Sequence, residues 1–243
     1  MEITKDGVTC SVMDCDGDFR SDECKDIMNG CDVVVTNPPF SMFREFVTMV
    51  MDKGKEILVL GTAKGVVCKE IFPFYKNSKL WLGKTIHSGD REFRVPDDYP
   101  ILTNNYREDE NGVKYIRVDN VRWITNMKYE GECPKVSLSE TTYDEAKHPK
   151  YDNFDAIHVK ETKNIPNNYY GVIGVPVTYI DKHNPELFDI VGIFNRFSSS
   201  DFEKGLICGD EKEYVDNHGK ILKTRGPILN KKALYTRLLI KRK

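Results

Sequence analysis

The stretch Asp32-Val-Val-Val-Thr-Asn-Pro-Pro-Phe40 restricts the fold of this chain more than any other. Val33 to Val35 are apolar and β-branched, which suits a pleated surface covered on both faces, so they are expected to form a buried central strand. Pro38 and Pro39 cannot donate to a ladder and fix their own φ, so the strand has to end there and the chain leaves it rigidly. Ligands of an open parallel sheet sit beyond the carboxyl ends of its strands. Asn37 and Phe40 therefore fall where such a sheet does its chemistry.

The Asn37 amide oxygen and the Pro38 carbonyl are two fixed, neighbouring acceptors. They suit an exocyclic amino group with two protons to give. Accepting both hydrogen bonds draws the nitrogen toward tetrahedral geometry and frees its lone pair to attack an electrophilic methyl group. This is positioning with preorganised electrostatics and needs no strong base. Phe40 is placed to stack on the flat ring that carries the amine, and in a duplex that base must first be flipped out. Strand, Asn-Pro-Pro, aromatic and helix, in that order, resembles the (N/D/S)-P-P-(Y/F/W) signature of amino-group methyltransferases that use S-adenosylmethionine. The plainer alternative is a strand-to-helix loop stiffened by prolines.

Upstream, Val8 to Asp14 reads as a short strand and Cys15 to Arg20 as an acidic loop. Ser21 caps the next helix, with Asp22 and Glu23 in its first turn and Gly30 at its stop. With the strand at Asp32 this makes one parallel βαβ step. Asp16 or Asp18 would then lie beside Asn37, placed to accept from a cofactor's adenine amino group or, equally, to form a helix-entry Asx turn. Downstream, Ser41 is expected to cap a helix whose apolar face is Phe43, Phe46, Val47, Val50 and Met51, ended by Gly54. Lys55 to Leu60 follows as a buried strand, then the turn Gly61 to Gly65, a helical stretch ending near Pro73, and a strand at Lys79 to Gly83. That last strand ends without the acid a ribose would need, so Gly61 to Gly65 reads as an ordinary strand-to-helix turn. Tyr115 to Val118 and Val121 to Thr125 suggest an antiparallel pair closing the sheet, with Gly112 marking a turn. From about Cys133 the alternation strengthens, at Tyr170 to Tyr179, Phe188 to Phe194 and Ala233 to Ile240, and a second, β-rich region is expected. Its interleaved aromatics and charges suit target recognition or an ordinary half-buried sheet.

A chain of 243 residues has room for one large domain or two small ones. Its 40% hydrophobic and 30% charged content is ordinary for a globular protein. No apolar run approaches the ~20 residues that cross a bilayer, and Met1 to Asp6 has no signal-peptide core, so no membrane partner is expected. Seven cysteines without a C-x-x-C pair suggest reduced thiols in a cytoplasmic compartment, and five dispersed histidines suggest no metal site. The net charge of −2 conceals an uneven distribution. Lys220, Lys223, Arg225, Lys231, Lys232, Arg237, Lys241, Arg242 and Lys243 occur without one Asp or Glu among them. Such a block suits phosphate contact or a solvated strand and tail.

Several stretches together resemble the EcoRI-type adenine-specific DNA methyltransferase family. They are Asp16 to Ser21, Asp32 to Val47, Lys69 to Pro73, Leu80 to Gly83, His87 to Pro96, Arg122 to Asn126, Pro149 to Asn153, Gly171 to Gly192 and Leu234 to Ile240. The resemblance implies methyl transfer from S-adenosylmethionine to adenine N6 in duplex DNA. It implies an α/β fold: an incomplete Rossmann-like sheet with a β-rich C-terminal region, divided into a partial catalytic domain over 1–132 and a target-recognition region over 133–243. Asn37, Pro38 and Phe40 would handle the flipped base, and Asp16, Asp18 and Phe19 would face the cofactor. Pro39, His87, Ser88, Asp90, Lys231, Lys232 and Arg237 would lie at the target base or the DNA. His87, Ser88 and Asp90 are too close in sequence to align as a hydrolase triad.

The departure is at the front. The 36 residues before Asn37 leave no room for the ~30-residue unit that carries a first cofactor-binding turn and its acid. The expectation is an uncovered sheet edge or apolar face and weak cofactor binding by this chain alone. A further N-terminal part supplied by an upstream start or a separate chain, or a decayed gene, would each account for it. A non-catalytic DNA-binding remnant, or methylation of an amine in RNA or protein, are the competing readings.

Overall fold

The computed structural model describes residues 2–83, 92–101, 104–118, 121–128 and 135–243. Its first part runs β1 (Glu2–Thr4), β2 (Gly7–Thr9), α1 (Asp22–Gly30), β3 (Val33–Thr36), α2 (Phe43–Asp52), β4 (Glu56–Thr62), α3 (Ala63–Val66) and α4 (Phe72–Lys76). It continues with β5 (Trp81–Leu82), β6 (Glu92–Arg94), β7 (Tyr106–Glu108), β8 (Lys114–Arg117) and β9 (Val121–Thr125). Four strands form one sheet in the order β3-β4-β9-β5. β3 and β4 are parallel, in register from Val33 with Glu56 to Thr36 with Val59, and α2 is their crossover. β9 runs antiparallel to both β4 and β5. The apolar face of α2, Phe43, Phe46, Val47 and Val50, is buried against this sheet together with Ile57, Val59 and Ile124. Each such side chain contributes roughly 1.5–3 kcal/mol when fully buried.

Several expectations change here. β3 is an edge strand, not a central one: Val33 and Val35 face solvent, Val35 at 64% exposure. Among the described residues no strand precedes α1 in the sheet. Gly7, at φ 145°, instead lets the chain fold back as the separate β1-β2 hairpin, and Cys10 to Asp14 form no strand. The parallel step therefore spans α2 rather than α1, and the sheet has the uncovered edge expected of it. α1 does begin at Ser21, whose side chain accepts from the Cys24 N–H. Ser41, by contrast, caps nothing, because Phe40–Met42 make a 3-10 turn and Met42 occupies the cap of α2. Pro73 opens α4 instead of ending a helix, its missing N–H being one that a first turn leaves unpaired anyway. The Gly112 turn joins β7 to β8 within a three-stranded sheet ordered β6-β8-β7, and Val121–Thr125 enters the main sheet between β4 and β5.

The second part runs β10 (Lys150–Tyr151), β11 (Phe154–His158), β12 (Val172–Pro176), β13 (Phe188–Phe194), β14 (Leu206–Ile207), β15 (Lys212–Val215), β16 (Ile221–Thr224), β17 (Ile228–Leu229), β18 (Lys232–Ala233) and β19 (Arg237–Arg242). A six-stranded mixed sheet, β10-β11-β12-β19-β13-β14, places the last strand of the chain at its centre. The fold is thus mixed α/β with a β-rich C-terminal part. One face of the six-stranded sheet packs Ile157, Ile173, Val175, Phe188 and Ile193, with Tyr179 of the 3-10 turn after β12, against Phe72 of α4. In return Ile180, from the 3-10 turn Val177–Lys182, is buried in the core of the first sheet. No helix among the described residues is long and apolar enough to cross a membrane.

Candidate active site

The four residues after β3 are held unequally. Pro38 is buried and anchors the loop, whereas Asn37, Pro39 and Phe40 face solvent, Phe40 at 50% exposure. Pro39 sits at φ −57°, ψ 123°, and its carbonyl accepts from the Met42 N–H at 3.0 Å, which turns the chain into α2. Phe43 then enters the core against Gly61, where a β-carbon would stand 2.6 Å from its ring and from Ile124. The loop is thus fixed from both sides, by a buried proline and by a buried ring, while its amide and aromatic tip stay open to a ligand.

The acidic loop lies on the same helix. Phe19 meets Phe46 of α2 edge to face, with ring centroids 5.2 Å apart. Asp18 is committed: its carboxylate takes a bidentate bond from Arg20 at 2.6 and 3.0 Å and accepts the Arg20 N–H, while its carbonyl accepts the Ser21 N–H. Those bonds to Arg20 bring the Asp18 carboxyl down to about 2. Asp18 therefore forms the helix-entry turn that the sequence offered as an alternative, while Asp16 is exposed on the same loop. Among the described residues no cluster of ligating side chains is suited to a metal ion.

One feature was not read from the sequence. A groove of about 680 Å³ runs along the outer face of α2 from Ser41 and Met42, past Arg44, Glu45 and Thr48, to Glu70. The Thr48 hydroxyl and one Glu70 carboxylate oxygen are buried without a hydrogen-bond partner among the described residues. The helical spacing of Ser41, Glu45 and Thr48 marked a polar face; only packing made it concave. His87, Ser88 and Asp90 lie outside the described residues. Lys231 and Lys232 are exposed on the β17-β18 turn, where Lys231 adopts φ 60° and its N–H reaches the Asp152 carboxylate at 2.7 Å. Arg237 opens β19, far along the chain from Asn37, and is half-buried.

The family model described as adenine-specific methyltransferase EcoRI matches residues 2–243. The chain belongs to the EcoRI adenine-specific methyltransferase family. Among curated relatives of this family, the type II methyltransferase M.EcoRI of Escherichia coli is 36% identical over all of this chain and 67% of its own length. M.MgeORF184P of Mycoplasma genitalium is 33% identical over 99% of this chain and 74% of its own. M.MpnI of Mycoplasma pneumoniae is 33% identical over 93% and 69%. No solved structure matches the chain.

Proposed function

We propose that this member of the family methylates adenine N6 in duplex DNA with S-adenosylmethionine as donor. The observation that carries this is the exposed Asn37-Pro-Pro-Phe40 tip beyond the carboxyl end of β3, pinned by buried Pro38. Asn37 Oδ1 and the Pro38 carbonyl accept the two N6 protons and turn the lone pair outward; Phe40 stacks on the flipped base. The cofactor, when bound, supplies the electrophilic methyl group. With the donor bound, the new N6–C bond would replace the methyl group's C–S bond, whose electron pair would stay on the sulfur. One N6 proton then passes to solvent. Asp16, with an exposed carboxylate on the loop packed against α2, is the residue here that fits a cofactor hydrogen bond. Asp18 does not fit, being occupied by Arg20, and Phe19 serves by shaping the loop.

We read the β3-α2-β4 unit as part of an incomplete Rossmann-like sheet, with 1–132 as the catalytic part and 133–243 as the target-recognition part. The open edge of β3 supports pairing with a further polypeptide segment, which would strengthen cofactor binding. Modification of this type takes place with the DNA in the cytoplasm.

The test uses tritiated S-adenosylmethionine and duplex DNA, with and without the polypeptide encoded immediately upstream. Label is expected in N6-methyladenine, and Asn37→Ala is expected to lower kcat by about 10²–10³-fold while DNA binding persists. No labelled DNA under either condition refutes the enzyme, and salt-sensitive DNA binding alone would favour a non-catalytic binder.

A further inference from the structure

The face of the six-stranded sheet that buries Tyr151, Ala156, Phe194, Ile207 and Leu239 also carries basic side chains. His158, Gly174 and Leu239 align in one row across β11, β12 and β19. Arg237 is two residues from Leu239 along β19 and opposite Phe194, so it shares that face. Tyr151 lies over the row. Its ring meets Phe194 edge to face at 5.4 Å, and its hydroxyl is 3.1 Å from His158 Nδ1 and 3.4 Å from the Gly174 carbonyl. The Tyr151 hydroxyl thus bridges His158 Nδ1 and the Gly174 carbonyl.

Arg237 Nε is shut away from solvent and has no hydrogen-bond partner among the described residues. The charges that act on His158 are those of Arg237 and Lys160, with no carboxylate among them. A buried donor left unpaired is costly, and an acceptor that reaches it on binding gains that cost back. The surroundings extend beyond a single small ion. Tyr235, two residues upstream, is 91% exposed, and Lys231 and Lys232 project from the preceding turn. Exposed aromatics among lysines suit a polyanion with flat bases better than free phosphate.

We propose that Arg237, His158 and Lys160 form a binding site for a backbone phosphate of the DNA. This rests on the reading of duplex DNA as substrate. The site would hold the target-recognition sheet in register on the duplex without reading a base.

Binding of a fluorescent duplex is measured for wild type, Arg237→Gln and Arg237→Lys, at salt from about 50 to 200 mM. Arg237→Gln is expected to weaken binding about tenfold on every sequence and to reduce the log–log salt slope by about 0.9. Arg237→Lys restores the slope, and KM for DNA rises more than kcat falls. Because the buried Arg237 Nε has no hydrogen-bond partner among the described residues, the melting temperature of Arg237→Gln stays at or above that of wild type. Unchanged affinity and slope in Arg237→Gln overturn the phosphate site alone. So does a loss that tracks a lowered melting temperature and is not restored by lysine. A wild-type chain that binds no duplex DNA removes both this site and the proposed substrate. A preference for duplex RNA with the same sensitivity to Arg237→Gln assigns the site to RNA and overturns it for DNA.

Discussion

At the scale of single residues, the candidate site depends on close approach as much as on reactive groups. Asn37 and Phe40 are exposed, so their geometry is imposed from beneath, by buried Pro38 and by Phe43 packed on Gly61. Gly61→Ala would drive a methyl group into the Phe43 ring and Ile124. It is expected to destabilise the fold by about 1–3 kcal/mol, read as a lower urea midpoint at unchanged slope. That the amide and the aromatic stand on a rigid tip was legible because the prolines restrict the backbone whatever surrounds them. Gly61 was misread as a loop residue, because a glycine demanded by a neighbouring ring looks in sequence like one demanded by a turn. Asp18 was ambiguous for a similar reason. A carboxylate beside a helix start suits a ligand or an Asx turn, and Arg20 two residues later decided for the turn.

At the scale of elements, the two sheets are joined by one buried ion pair. Arg122 of β9 and Asp181 of the 3-10 turn after β12 meet in bidentate fashion at 3.1 and 3.2 Å, their side chains 6% and 15% exposed. Removing one partner strands the other charge out of water. Asp181→Ala is expected to cost about 3–5 kcal/mol by urea unfolding. Arg122→Met with Asp181→Leu together should recover most of that loss. Had the pair been a surface contact, the single change would move the midpoint by less than ~1 kcal/mol. Element types were mostly visible in the periodicity: α2 buries Phe43, Phe46, Val47 and Val50, and the C-terminal strands form near where they were expected, although β19 buries the consecutive Leu238, Leu239 and Ile240 instead of alternating. Strand neighbours were not visible. β9 enters between β4 and β5, a pairing that local pattern does not encode.

At the scale of the whole molecule, each core contains a side chain lent by the other, Phe72 in the second and Ile180 in the first. The two parts should therefore unfold together. Trp81 and Trp123 both report on the first sheet, and their fluorescence is expected to coincide in urea with the far-UV circular dichroism dominated by the second. Two separated transitions would mark independent domains. Stability should also fall in mild acid. Burial brings His158 and His183 from an ordinary 6.5 down to about 4, so both fold as neutral groups. The unfolded chain takes up protons first as pH falls. Their contribution is full above about pH 6.5 and is lost on the way to about pH 4; His183→Gln should flatten part of that slope in urea midpoints measured across the range. The sequence by itself determined that a strand ends in a rigid Asn37 to Phe40 tip before a helix, that α2 has an apolar face, and that the second part is β-rich. These follow from backbone restriction and periodicity within a few residues. Only the tertiary structure decided that β3 is an open edge, that the N-terminal segment closes as its own hairpin, and that Arg237 shares a sheet face with His158, its Nε buried without a partner among the described residues. Those depend on which strands, distant in sequence, bury one another's faces, and a chain read locally carries no record of its neighbours.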